Sequence, residues 1–115
     1  MKARVVFLVL FVLSAAFSIA YAHPPSDIKI TFDPQTKMLE ATIMHDVANP
    51  ENHYIKKVDV SRNGKEVISQ EFSQQENKDS QRVHYLVSDA KAGDVYSVEG
   101  HCSISGKLKK EIKVQ

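Results

Sequence analysis

The sequence predicts an all-β domain, an antiparallel β-sandwich of about seven short strands with an immunoglobulin-like layout, behind an N-terminal export signal. Three observations carry this expectation. Apolar and polar residues alternate in short segments, as strands with one buried face require. Turn-forming pairs separate those segments at close intervals. No stretch of useful length carries a helical period.

The first segment, 27–32, puts Ile28, Ile30 and Phe32 on one face, and the second, 39–44, sets Leu39, Ala41 and Ile43 against Glu40 and Thr42. Segments 54–60, 66–72, 81–87, 95–99 and 108–114 continue the pattern. The breaks are Asp33-Pro34, Asn49-Pro50, Asn63-Gly64, Ala92-Gly93-Asp94 and Ser105-Gly106. Asn63-Gly64 is the strongest hairpin signal, because both residues tolerate the positive φ of a two-residue turn. The polar stretch 73–80 reads as a loop. With no Trp and a single Cys, the Cys…Trp…Cys signature of antibody domains is absent. An aliphatic and aromatic core must then hold the sandwich. The last segment carries Lys109 and Lys110, charges that defend an edge strand against pairing with another chain.

Residues 1–22 have a basic start at Lys2 and Arg4, an apolar run over 5–20, and small residues at Ala20 and Ala22. That is the pattern of a cleaved secretory signal, with the cut expected between Ala22 and His23. The competing reading is an uncleaved anchor, since the apolar run is nearly long enough to span a bilayer. Cleavage would leave one domain, 23–115, periplasmic or secreted and with no membrane attachment. The mature chain would hold 13 basic residues against 14 acidic ones. No polybasic face is implied, so nucleic acid is not an expected partner.

Export also frames Cys102, the only cysteine. Structural cysteines outside the reducing cytoplasm are normally paired, and this one has no partner in the chain. It is a metal ligand, a reactive or intermolecular thiol, or a small buried hydrophobe. His45 ends one predicted strand and His53 begins the next, with Asn49-Pro50 folding the chain back between them. His23 would open the mature chain, ahead of the stiff pair Pro24-Pro25. Three histidines and a thiol at segment boundaries form a ligand set for one redox-active transition metal. His84 alternates within a strand and reads as structural or exposed. His101 should face away from Cys102 if both lie in one strand.

In these residues the chain resembles the iron-binding domain of the desulfoferrodoxin and neelaredoxin family, the superoxide reductases. The first family ligand, a His followed closely by Pro, is similar to His23-Pro24-Pro25. The central pair of that family is similar to His45 and to His53 within PENHYIKKVDV, 50–60, and its closing Cys-Asn-x-His-Gly motif is similar to Cys102-Ser103-Ile104-Ser105-Gly106. The resemblance spans essentially the whole mature chain in order and approximate spacing. It implies an immunoglobulin-like sandwich holding one Fe(II)/Fe(III) ion through His23, His45, His53 and Cys102. Glu51 matches the acidic residue that some members use as a sixth ligand. The implied activity is reduction of superoxide, or another small oxidant, with electrons from a donor protein.

Three positions depart from the family pattern. Its last histidine falls on Ser105, its loop lysine on Asn52, and His45 and His53 stand two residues further apart than usual. Loss of the fourth imidazole alters potential and affinity, and loss of the lysine weakens attraction of an anion. The resemblance predicts Ser105 turned toward the metal in place of the missing ring. Two other readings stand beside the iron site. In one, the α-amine and ring of His23 chelate copper in a periplasmic copper-binding or carrier domain, a donor set that suits Cu(II). In the other, the sandwich is a metal-free interaction module with Cys102 in its core.

Overall fold

A computed structural model of the chain describes residues 23–115. The expected signal segment, 1–22, lies outside the described residues. Seven strands follow in order: β1 (Asp27–Asp33), β2 (Met38–Met44), β3 (Ile55–Arg62), β4 (Lys65–Glu71), β5 (Ser80–Leu86), β6 (Val95–Cys102) and β7 (Lys107–Lys113). They form two antiparallel sheets, β1-β2-β5 and β4-β3-β6-β7. Among the described residues, no helix is long and apolar enough to cross a membrane.

Each turn signal resolves into local geometry. Asp33 Oδ1 accepts the N–H groups of Gln35 and Thr36, which closes the β1–β2 connection. Asn63 and Gly64 both take positive φ, 50° and 84°, as the predicted hairpin between β3 and β4 demands. Gly93 and Gly106 adopt the same half of φ space in their own turns.

The core sits between the sheets. Leu39, Ala41 and Ile43 of β2 and Val83 of β5 face Ile55, Val58 and Val60 of β3 and Tyr96 and Val98 of β6, and all are buried. Strand β6 alternates strictly, with Tyr96, Val98, Gly100 and Cys102 inside. Its outward residues therefore include Glu99 and His101. Strand β7 is an edge, as its lysines suggested. The register brings the end of β2 beside the start of both β1 and β5. Likewise the start of β3 pairs with the end of β6, Ile55 opposite Cys102. The segments beyond these strand ends meet at one pole of the sandwich.

Candidate metal centre

Four connections build that pole: 23–26, 45–54, 72–79 and 103–106. The chain entering β1 is pinned by the Ser26 N–H donating to Met44 O at 2.9 Å. Pro24 packs on Gly106 and Pro25 on Gly100. In the second connection Asn49 works twice. Its side-chain Oδ1 accepts the Glu51 N–H, and its carbonyl accepts the N–H groups of Asn52 and His53 at 3.2 and 3.1 Å. This tight turn reverses the chain and returns His53 to the neighbourhood of His45. The next residue, Tyr54, is held by Ser103 in both directions: its N–H donates to Ser103 Oγ, and its carbonyl accepts the Ser103 N–H.

Those anchors bring His23, His45 and His53 together. One ligand nitrogen of each lies within 4.8 Å of the others. The ring centroids are 4.8 Å apart for His23–His45, 5.1 Å for His23–His53 and 4.8 Å for His45–His53. The planes are steeply inclined, 85° for the last pair, so the rings converge rather than stack. His45 is fully buried and the other two are half-buried.

Hydrogen bonding fixes how His45 is presented. Its Nδ1 lies 2.9 Å from Gln75 Oε1 and its Nε2 lies 3.2 Å from the His23 carbonyl. Gln75 leaves little freedom in this arrangement. Its amide nitrogen donates to the carbonyls of His45 and Asn77, and its Oε1 also accepts the Ile55 N–H. With both amide hydrogens committed to carbonyls, it is the acceptor Oε1 that faces Nδ1, and of the two acceptors around the ring it is the nearer, so we assign the hydrogen to Nδ1. In the neutral ring Nε2 then holds a lone pair that faces a carbonyl oxygen, an arrangement a cation relieves.

His53 supplies an unsatisfied ring nitrogen. Its Nε2 is shielded from solvent and has no hydrogen-bond partner among the described residues. Burial first, and then the neighbouring His45 and His23 rings, holds the His53 pKa below the ordinary imidazole value. That favours the neutral form, the form a metal binds. His23 places Nε2 2.8 Å from Asp46 O and Nδ1 3.0 Å from Pro24 O. Three imidazoles on one point suit iron, copper, zinc or nickel.

The other expected site residues take distinct places at the pole. Cys102 is buried, 3% exposed, and its Sγ accepts the Ile104 N–H at 3.4 Å. Its sulfur is not one of the atoms in the mutual 4.8 Å group. Glu51 is exposed on the turn that precedes His53, and Ser105 is exposed beside Gly106. His84 is exposed and pairs with Glu40.

His101 does face away from Cys102, and it joins a second group of candidate ligands with Asp59 and Glu99 on the outer face of the four-stranded sheet. Its Nε2 stands 3.0 Å from Asp59 Oδ2 and 3.1 Å from Glu99 Oε1. Lys57 Nζ lies 3.5 Å from Asp59, whose other oxygen accepts the Ser69 hydroxyl. Burial alone raises the Asp59 pKa, but the Ser69 hydrogen bond, Lys57 and His101 outweigh it and hold the carboxyl below its usual range. This group is an internally answered charge network.

Compared with known family models, curated proteins and solved structures, the chain matches none. The metal centre therefore rests on its own geometry. Gln75, Asp59 and Glu99 are the members of these two clusters that sequence reasoning missed. Asp59 and Glu99 become neighbours only through the β3–β6 register, in which they are directly paired. Gln75 sits in a stretch so polar that nothing marks one glutamine as fully enclosed.

Proposed function

We propose that the protein is an exported mononuclear iron protein on an immunoglobulin-like sandwich, related in design to the superoxide reductases. His23, His45 and His53 would hold the ion. The observation that carries this reading is the buried, unpartnered Nε2 of His53 within a cluster of three imidazoles. A solvent-shielded nitrogen without a partner costs about 1–3 kcal/mol, a cost removed when that nitrogen binds a cation.

Cys102 is the proposed thiolate ligand. The Ile104 N–H donated to its sulfur is the kind of hydrogen bond that stabilises negative charge on a cysteinate and tunes a metal's potential. Bound iron would supply one-electron chemistry toward a small oxidant such as superoxide, with a donor protein restoring the reduced state. The chain's own part is to hold the three imidazoles in place, to exclude water behind His45, and to present exposed Glu51 at the rim as a further oxygen ligand.

Copper is the second reading, and one contact favours it. If His23 Nε2 donates its hydrogen to Asp46 O at 2.8 Å, the ring's lone pair resides on Nδ1. Nδ1 is the nitrogen that closes a chelate ring with the residue's own α-amine once the chain begins at His23.

Metal analysis of protein beginning at His23, purified without oxygen, tests the reading. About one iron per chain is expected, with a sulfur-to-ferric absorption band after oxidation that disappears in Cys102→Ser. Copper at that stoichiometry would transfer the site to the second reading. No retained metal after reconstitution with either ion would leave a metal-free interaction module.

A further inference from the structure

We propose that Gln75 is the positioning residue that fixes Nε2 as the metal-facing nitrogen of His45. This rests on the metal-binding reading above and assigns a determinant of that site's affinity. Gln75 is 1% exposed, and its side chain makes four hydrogen bonds, to His45 Nδ1, His45 O, Asn77 O and Ile55 N. Its backbone N–H donates to Pro50 O at 3.0 Å, which ties it to the turn that delivers His53. The residue thus contacts the connections on both sides of the cluster.

The inference follows from counting donors and acceptors. A carboxamide has two N–H hydrogens, and both point at backbone carbonyls, which can only accept. Reversing the amide would set its oxygen against those two carbonyls and its nitrogen against the Ile55 N–H, losing three bonds at once. The orientation is therefore fixed by the backbone. Both ring nitrogens of His45 face an acceptor, Nδ1 at Gln75 Oε1 (2.9 Å) and Nε2 at the His23 carbonyl (3.2 Å), and the shorter contact assigns the single hydrogen of a neutral ring to Nδ1, leaving the lone pair on Nε2. Metal-bound histidines commonly donate their second ring N–H to an acceptor that sets tautomer and ring orientation. Gln75 is that acceptor here.

Two substitutions separate this role from simple packing. Gln75→Leu and Gln75→Glu both lose the two amide donor bonds, and only Glu keeps an acceptor for His45 Nδ1. Fe(II) affinity, measured without oxygen by competition with a chromophoric chelator, is expected to fall about 10–100-fold in Gln75→Leu. Gln75→Glu should recover most of that loss. A merely structural glutamine would leave both variants equally weakened.

The tautomer itself needs no variant. Nitrogen-15 NMR of histidine-labelled, metal-free protein near pH 8 should show His45 as the Nδ1–H form. The Nε2–H form at His45 would overturn the proposal, as would equal Fe(II) affinities of the Leu and Glu variants while the wild type binds tightly. A wild type that binds no Fe(II) would overturn the metal-binding reading and the positioning role together.

Discussion

Pro24 rests directly on Gly106: a Cβ at that glycine would fall 2.8 Å from Pro24 Cβ and 3.1 Å from its Cα. Gly106 also has φ +88°, a conformation that L side chains rarely adopt. The residue before Pro24 is His23, so this contact lies next to one of the three proposed ligands. Gly106→Ala should therefore weaken metal binding as well as folding. Gly64 is the control, because it has φ +84° with nothing within 4 Å of its would-be Cβ. Gly64→Ala should cost only the conformational term, about 1–2 kcal/mol, and leave metal affinity unchanged. Denaturant unfolding and a metal titration on both variants check this. Equal metal affinities would show that Pro24 does not transmit the glycine's position to His23.

The metal-free protein should lose stability as pH falls below about 6.5, the ordinary imidazole value. His53 is held below that value by burial and by the two neighbouring rings. A depressed pKa means that the unfolded chain binds the proton first, so this contribution is complete above the unfolded value. It is lost as pH falls toward the folded one. Stability measured from pH 8 to 5 should decline less steeply in His53→Gln than in the wild type. Identical slopes would mean that another group controls this range.

The Asp59 network predicts a second, more acidic window. With its carboxyl held below the usual range, Asp59 stabilises the fold above about pH 4, the unfolded carboxylate value. That contribution disappears as pH falls through the folded pKa. Asp59→Asn should be less stable than the wild type at neutral pH, with the gap closing on acidification. It should also leave metal affinity at the histidine cluster untouched, since Asp59 faces outward from the opposite side of the sheet to Cys102. A gap that persists at low pH would assign the loss to packing instead of charge.

The strands were legible because their signals are local. Ile28, Leu39, Ile43 and Val83 each alternate with polar neighbours, and each lies buried where the period of two puts it. Asn63-Gly64 announced its own turn. Most boundaries moved by a residue or two, and that of β6 by three, because Gly100 and His101 continue the alternation to Cys102 with β3 opposite.

The site was legible only in part, for a physical reason. His23, His45 and His53 all stand at segment boundaries, so their joint placement at one pole could be expected. Gln75 could not, because its role depends on four partners spread from His45 to Asn77, and a polar loop gives no hint which amide is enclosed. The Asp59–Glu99–His101 network was equally hidden. It follows from a cross-strand register that no single segment encodes.

Core packing and metal binding should prove separable at Ile43, which is fully buried two residues before His45 and lies nearest the face of Gly100. Ile43→Val removes one methylene while keeping the branched carbon, a change that costs about 0.5–1.5 kcal/mol. The backbone anchors of His45 are not touched by it: the His45 N–H still donates to Asp79 O at 2.9 Å, and Gln75 still holds the ring. A ligand that binds only the folded state raises stability by an amount set by its concentration and affinity alone. At matched metal concentration, the gain in unfolding free energy should therefore be equal in Ile43→Val and the wild type, although the two start from different stabilities. A smaller gain in the variant would mean that packing at Ile43 helps to set the position of His45.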